Sequence, residues 1–201
     1  MPKAWVRERK RDYYYRLAKE EKYRSRAAYK LLEAVNKFGL IKQGDVVVDL
    51  GAAPGGWMQA ARRTAGKDGF VLGVDLKPIK PIEHENVRSI ECDVTQPEAL
   101  AMINELLPRA ADVVLSDVAP NVSGVWELDH SRQIELARQS LELALLVLRP
   151  GGNFFAKVFQ GGTLEDFVSE VRQHFSYVRL IKPRASRRKS AELFVLSLRK
   201  R

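Results

Sequence analysis

The sequence has little of what would tie a protein to an oxidising compartment or to a membrane. It holds one cysteine, Cys92, in 201 residues, so no internal disulfide can form and a reducing, cytoplasmic setting is expected. Its opening residues, Met1-Pro2-Lys3-Ala4-Trp5-Val6-Arg7, lack the apolar centre of a secretory leader. The longest apolar run, Leu141–Leu148, is broken by Glu142 and falls far short of the roughly 20 residues that span a bilayer. Histidine is scarce too. His84, His130 and His174 stand at no metal-ligand spacing and Cys92 has no partner, so no metal is expected. Internal repeats, low-complexity blocks and domain linkers are absent. The length suits one α/β domain over 1–201 with a real core, and a monomer is expected.

What the chain does have is positive charge, unevenly placed. The net charge is +9. Residues 1–30 carry eleven Lys/Arg against four Asp/Glu, and residues 182–201 carry eight against Glu192 alone. Everything between is mildly acidic. Two basic ends around an acidic body suit a phosphate backbone, because each phosphate neutralised releases counterions. Tyr13, Tyr14, Tyr15, Tyr23 and Tyr29 interleave with the first basic stretch, where aromatic faces would suit RNA bases. Residues 1–24 are therefore read as a basic extension of the same domain, contributing to an RNA-binding surface. Solvated tails are the bland alternative.

Periodicity predicts alternating elements. Ser25 opens a helix to about Phe38, and Gly39 stops it. Strands are expected at Val46–Leu50, Phe70–Asp75, Val87–Ile90, Val113–Ser116 and Asn153–Phe159. Helices are expected at about Trp57–Thr64, from a Thr95-Gln96-Pro97-Glu98 capping box to Leu107, at Ser131–Leu148 before Pro150-Gly151-Gly152, and from Thr163 to His174. Alternation of this kind predicts a parallel, doubly wound sheet. Tyr177–Ile181 and Leu193–Leu198, with only a basic loop between them, predict an antiparallel hairpin at its edge.

The first strand runs into Asp49-Leu50-Gly51-Ala52-Ala53-Pro54-Gly55-Gly56-Trp57. Strand, glycine loop and helix together hold a nucleotide-like ligand beyond the carboxyl ends of the strands. The order G-x-x-x-G-G is not the dinucleotide fingerprint, and no Walker lysine is present. Carboxylates then stand at successive strand ends. Asp75 is placed to accept the ribose hydroxyls of an adenosine, Asp93 its adenine amino group, and Asp117 lies toward the far end of the ligand. Strand-end carboxylates often merely cap helices; four in succession, counting Asp49, favour a ligand.

These residues resemble the FtsJ/RrmJ family of ribose 2′-O-methyltransferases. The matching stretches are Arg24–Leu31, Asp49–Trp57, Ser116–Gly124, Lys157-Val158-Phe159-Gln160-Gly161 and Arg184–Glu192. The resemblance implies a Rossmann-like α/β methyltransferase fold, with a seven-stranded, mostly parallel sheet, its last strand antiparallel and helices on both faces. It implies S-adenosylmethionine (SAM) as cofactor, S-adenosylhomocysteine as product, and cofactor contacts at Gly51, Gly55, Trp57, Asp75, Asp93 and Asp117. It implies a catalytic set of Lys30, Asp117, Lys157 and Glu192. The implied substrate is RNA of the large ribosomal subunit, at a uridine of the peptidyl-transferase A-loop, and the mixture of features suggests an archaeal member. The stretch Arg11–Glu21 is closer to relatives that act on tRNA anticodon loops.

The chemistry fits those residue types. A sulfonium methyl is already activated, so the protein must chiefly present an oxygen in line with it. A ribose hydroxyl is a poor nucleophile, and a lysine made partly neutral by burial and a second cation can take or polarise its proton. Lys157 is expected as base or oxygen-orienting residue, Lys30 as the substrate-steering one, with Asp117 and Glu192 orienting both amines. Lys157 stands out without any resemblance, because Phe154-Phe155-Ala156-Lys157-Val158-Phe159 would bury its charge at high cost unless paired. Arg24, Arg26, Arg187 and Arg188 are expected to touch RNA. An RNA-binding assembly factor with vestigial catalysis would lack a lysine or the loop, and neither is missing. A small-molecule methyltransferase would not need such basic ends.

Overall fold

The computed structural model describes residues 12–187 and 189–201. Nearly half of the basic extension assigned to 1–24, and the RNA contact expected at Arg188, lie outside the described residues. The elements run α1 (Tyr13–Glu20), α2 (Ala28–Phe38), β1 (Val46–Leu50), α3 (Gly56–Ala65), β2 (Phe70–Asp75), β3 (Val87–Glu91), α4 (Glu98–Leu106), β4 (Ala111–Ser116), α5 (Trp126–Val147), β5 (Leu148–Phe159), α6 (Leu164–His174), β6 (Phe175–Ile181) and β7 (Glu192–Lys200).

β1 is buried along its whole length, and its side chains alternate between two cores. Val46, Val48 and Leu50 join Ile103, Ile134, Leu141 and Phe167 under α4, α5 and α6. Val47 joins Leu31, Ala34, Trp57 and Met58 under α1, α2 and α3. Burial on both faces is why the strand reads as one apolar run.

The seven strands are ordered β3-β2-β1-β4-β5-β7-β6. β3, β2, β1, β4 and β5 are parallel, whereas β7 runs antiparallel between β5 and β6. This is the fold expected, with helices on both faces. Leu50 sits level with Val74 and with Ser116, so β1, β2 and β4 end together. The strand order reverses between β1 and β4, and a crevice opens beyond such a reversal.

Several boundaries depart from expectation for local reasons. α1 was not anticipated. Asp12 caps it, its Oδ1 accepting from the Tyr15 amide at 3.1 Å. The tyrosines read as a base-stacking surface are largely used in packing this segment. Tyr23 is buried, and Tyr29 lies 5.6 Å from Tyr23 and 5.5 Å from Tyr14 between ring centroids. Of the five, Tyr13 alone is exposed.

The capping box does not form. The Thr95 hydroxyl donates to Asp93 at 2.8 Å, and Pro97 caps α4 with no side-chain bond. Thr163 likewise gives its hydroxyl to His130 Nε2, at 2.9 Å. α5 begins five residues before the expected Ser131, because its first buried residues, Asp129 and His130, are polar while Trp126 and Leu128 face outward, which hides the apolar period. β5 then starts at once, so Pro150-Gly151-Gly152 falls inside the strand, next to a register shift between Ala111 and Val113. Among the described residues, no helix is long and apolar enough to cross a membrane.

Candidate active site

The crevice beyond β1, β2, β3 and β4 holds a cavity of about 450 Å³. Gly51, Asp75, Asp93, Asp117 and Val118 line it. Gly51 adopts φ +74°, and a Cβ there would meet the Val118 backbone nitrogen at 2.8 Å, so the loop can lie against the end of β4 only as glycine. Asp75 is locked by its own loop, its two oxygens accepting from the amides of Ala53 and Lys77, each at 2.8 Å. Asp93 Oδ1 accepts from the Thr95 amide at 3.0 Å and from its hydroxyl. Those bonds hold the Asp93 carboxyl below its ordinary pKa, so it stays ionised.

Asp49 lies beneath this acidic rim without lining the cavity. It is fully buried, and neither carboxyl oxygen has a hydrogen-bond partner of full geometry; the Met58 amide is the donor turned toward it. Burial first, then the charges of Asp117 and Asp75, push its pKa well above the carboxylate range. An orphaned buried carboxyl between two others is a place for a cationic ligand group. With Asp75 and Asp93 placed for a nucleoside, the residues present fit a cofactor that joins an adenosine to an ammonium-bearing amino acid.

Two of the expected cofactor residues are not among those that line the cavity. Trp57 does not line the cavity. Its side chain is 3% exposed, donates from Nε1 to the Ala27 carbonyl at 2.7 Å, and packs 5.6 Å from Phe155 and 5.8 Å from Phe194. Gly55 is not among its lining residues either, and a Cβ there would meet the Arg24 guanidinium at 2.8 Å. Gly55 and Gly56 make room for Arg24 and Ser25 crossing the loop.

Beside the cavity stand two ion pairs. Lys157, 9% exposed in its side chain, places Nζ 2.9 Å from Asp117 Oδ1 and donates to the Asp117 carbonyl at 2.7 Å. Lys30 Nζ lies 2.6 Å from Glu192 Oε1 and donates to Oε2 at 2.8 Å. The Ser186 hydroxyl donates to Glu192 Oε1 at 2.9 Å, and Lys30 Nζ stands 5.5 Å from the Phe194 ring centroid. In the β5–β7 register Lys157 faces Phe194 and Phe159 faces Glu192. Residues two apart on a strand share a face, so the pairs meet at adjacent positions of one sheet surface. Each buried cation is thus neutralised by a carboxylate, which removes the cost that made Lys157 conspicuous.

The four expected RNA contacts divide. Arg24 donates to the carbonyls of Pro54, Lys80 and Pro81, which makes it a clamp between loops. Arg26 pairs with Asp12 and donates to the Ala185 carbonyl. Burial, and then the charge of Arg187, lower its pKa while Glu192 raises it. Arg187 is exposed. Arg26, Arg187, Lys30 and Glu192 border a notch of about 260 Å³. A larger groove of about 680 Å³ lies by Tyr14, Tyr29, Glu33 and Arg63, without the strand-end carboxylates.

Sequence reading missed two residues. Gln133 is buried and donates from Nε2 to the carbonyls of Val118 and Lys157, each at 3.1 Å. It thereby ties the end of β4 to the lysine strand. Its signal was an amide on the apolar stripe of α5, four residues before Ala137 and eight before Leu141. Asp129 is also buried, and accepts from Ser123 N and Oγ at 2.8 Å and from Gly124 N at 3.1 Å, shaping the loop after β4. These bonds keep its pKa low. Among the described residues no group of three or more His, Cys, Asp or Glu is placed to hold a metal ion.

Known proteins resemble this chain in sequence and in fold. Residues 23–200 match the family model described as FtsJ-like methyltransferase. A ribosomal RNA large subunit methyltransferase E of Methanocaldococcus jannaschii is 50% identical over 200 residues, covering 98% of this chain and 82% of that protein. The protein of that name from Methanothermobacter thermautotrophicus is 48% identical over 196 residues, covering 98% and 93%. A crystal structure from Plasmodium falciparum, assigned as a ribosomal RNA methyltransferase, superposes with TM-score 0.79 at 27% identity, covering 89% of this chain and 98% of that one. With the lysine–carboxylate pairs beside a cavity lined by strand-end carboxylates, the match over nearly the whole chain leaves one assignment: the chain belongs to the family of FtsJ-like methyltransferases.

Proposed function

We propose that this protein methylates a ribose 2′-hydroxyl of large-subunit ribosomal RNA, at a uridine of the A-loop, acting as a cytoplasmic monomer that uses SAM and no metal. The observation that carries the reading is the pairing of Lys157 with Asp117 and Lys30 with Glu192 on one sheet face beside the cavity. The names of the archaeal relatives, which are about half identical to this chain, support the ribosomal substrate.

Asp75, Asp93 and Gly51 would hold the adenosine of SAM, with Asp49 and Asp117 toward its amino-acid end. When bound, SAM supplies a methyl group already activated for transfer. The protein's own work is then positioning and proton handling. Lys157 Nζ, held by Asp117, is placed to orient a ribose hydroxyl, and takes its proton once its own has passed to Asp117 or to solvent. Lys30, held by Glu192 and Ser186, presents a cation at the neighbouring position and steers the ribose. The notch bordered by Arg26 and Arg187 receives a flanking phosphate, where charge-assisted bonds are strongest.

The test uses SAM labelled on its methyl group, with large-subunit ribosomal RNA or bulk tRNA as acceptor, followed by alkaline digestion. A 2′-O-methyl blocks cleavage at its own linkage, so label from ribosomal RNA should survive in an alkali-resistant dinucleotide. Label in mononucleotides would exclude ribose methylation. Label in tRNA alone would move the substrate to the anticodon-loop class.

A further inference from the structure

The mouth of the site carries apolar side chains that packing does not cover. Val122, Val125, Trp126 and Leu128 are all exposed within seven residues. Trp126 differs from the others in what lies behind it. It is the first residue of α5 and 46% exposed. Its indole lies nearly parallel to Phe159, with centroids 6.0 Å apart at 24°, and to His130, at 6.3 Å and 23°.

Both supports are themselves fixed. His130 Nε2 is held by the Thr163 hydroxyl at 2.9 Å, and a Cβ on Gly161 would meet the His130 ring at 2.6 Å. Phe159 stands two residues beyond Lys157 on β5 and faces Glu192 on β7. The indole therefore rests against two fixed rings, one of them on the catalytic strand, and keeps nearly half of its surface open. Asp129, three residues on, anchors the loop on the other side of Trp126. An indole mounted this rigidly has little left to lose in conformational entropy when a second flat group lands on it.

We infer that the open surface of Trp126 is a stacking platform for an unpaired RNA base adjacent to the methylated ribose. The inference rests on RNA being the substrate. A ribose hydroxyl reaches Lys157 only if its nucleotide leaves regular pairing, and its neighbours then have exposed base faces. The platform and the basic notch border the same pairs, since Glu192 lines the notch and faces Phe159 across the sheet. One grips phosphate and the other a base face, so neither duplicates the other.

The test compares Trp126→Ala, Trp126→Phe and Trp126→Leu in the full chain. Binding and methylation of a large-subunit ribosomal RNA transcript are measured beside SAM binding and thermal stability. Loss of one stacked base should weaken RNA binding by about fivefold to a hundredfold in the alanine variant. Trp126→Phe should recover most of that loss. Trp126→Leu, as apolar but not flat, should not. The slope of affinity against salt should stay unchanged in all three, because no phosphate contact is lost, and SAM binding should match wild type. Equal RNA affinity for the alanine variant and an active wild type would overturn the platform and leave the methyltransferase reading standing. So would equal recovery by Leu and Phe. A loss seen on intact subunits but not on naked RNA would also overturn it, assigning the patch to a ribosomal protein. A wild type that methylates no RNA would overturn both readings together.

Discussion

The two halves of the site treat charge in opposite ways. At the ends of β1, β2 and β3 the carboxylates are locked by backbone amides or, at Asp49, left without a partner of full geometry, and no lysine among the described residues pairs with them. Around β5, β7 and α2 each carboxylate is matched by a lysine within 2.9 Å. The first half is incomplete until a cation-bearing ligand arrives, whereas the second is complete in itself and ready to orient an oxygen. Asp117 belongs to both, lining the cavity while holding Lys157. This division separates binding from chemistry, and each of the following changes should act on one half.

The largest effect is expected at Lys157. Lys157→Ala should lower transfer by about 10²- to 10⁴-fold, the range for loss of a positioned proton acceptor, with SAM affinity near wild type by titration calorimetry. Asp49→Asn acts on the other half. Losing a carboxyl that an approaching ammonium would draw into its ionised form should weaken SAM binding by roughly 1.5–3 kcal/mol, or about ten- to a hundredfold.

The same variant tests the pH dependence. Asp49 has a raised pKa when folded, so the folded state holds its proton more tightly than the unfolded chain does. The associated stability is fully present below the ordinary carboxylate value, about pH 4, and is lost as pH rises through the folded pKa. Ligand-free wild type should therefore lose stability in thermal melts as pH rises above that value. Asp49→Asn should show a flatter profile.

Gln133→Ala should cost about 1–3 kcal/mol by removing two hydrogen bonds to backbone carbonyls, one buried and one partly buried. Because the amide ties Lys157 to the end of β4, kcat should fall more than SAM affinity. The smallest effect separates the two arginines. Arg187→Ala should reduce the salt slope of RNA binding by about one unit. Arg24→Ala should leave that slope alone and lower the melting temperature, since its donors go to backbone carbonyls.

What the sequence made legible follows from what each signal depends on. The strand-to-loop turn at Asp49–Trp57, the strand-end carboxylates and a lysine inside an apolar strand are local patterns, and all lie where strand ends meet. The antiparallel hairpin was legible because no helix-length segment separates its strands. Side-chain direction was not. Trp57 and Gly55 belong to the loop's pattern but serve the crossing of the N-terminal segment, a contact between residues about 30 positions apart. Arg24 and the tyrosines had the composition of an RNA surface, yet tertiary contacts use them for packing. Gln133 was hidden because an amide on an apolar stripe reveals nothing of its partners until two strands and a helix are in place.

The division between the halves is tested most directly by one crossed measurement. SAM dissociation constants and single-turnover transfer rates at saturating SAM are compared for Lys157→Ala and Asp49→Asn. The lysine variant should keep its affinity and lose its rate, while the aspartate variant loses affinity and keeps most of its rate. If both variants lose affinity and rate in the same proportion, the two halves act as one unit and the division is wrong.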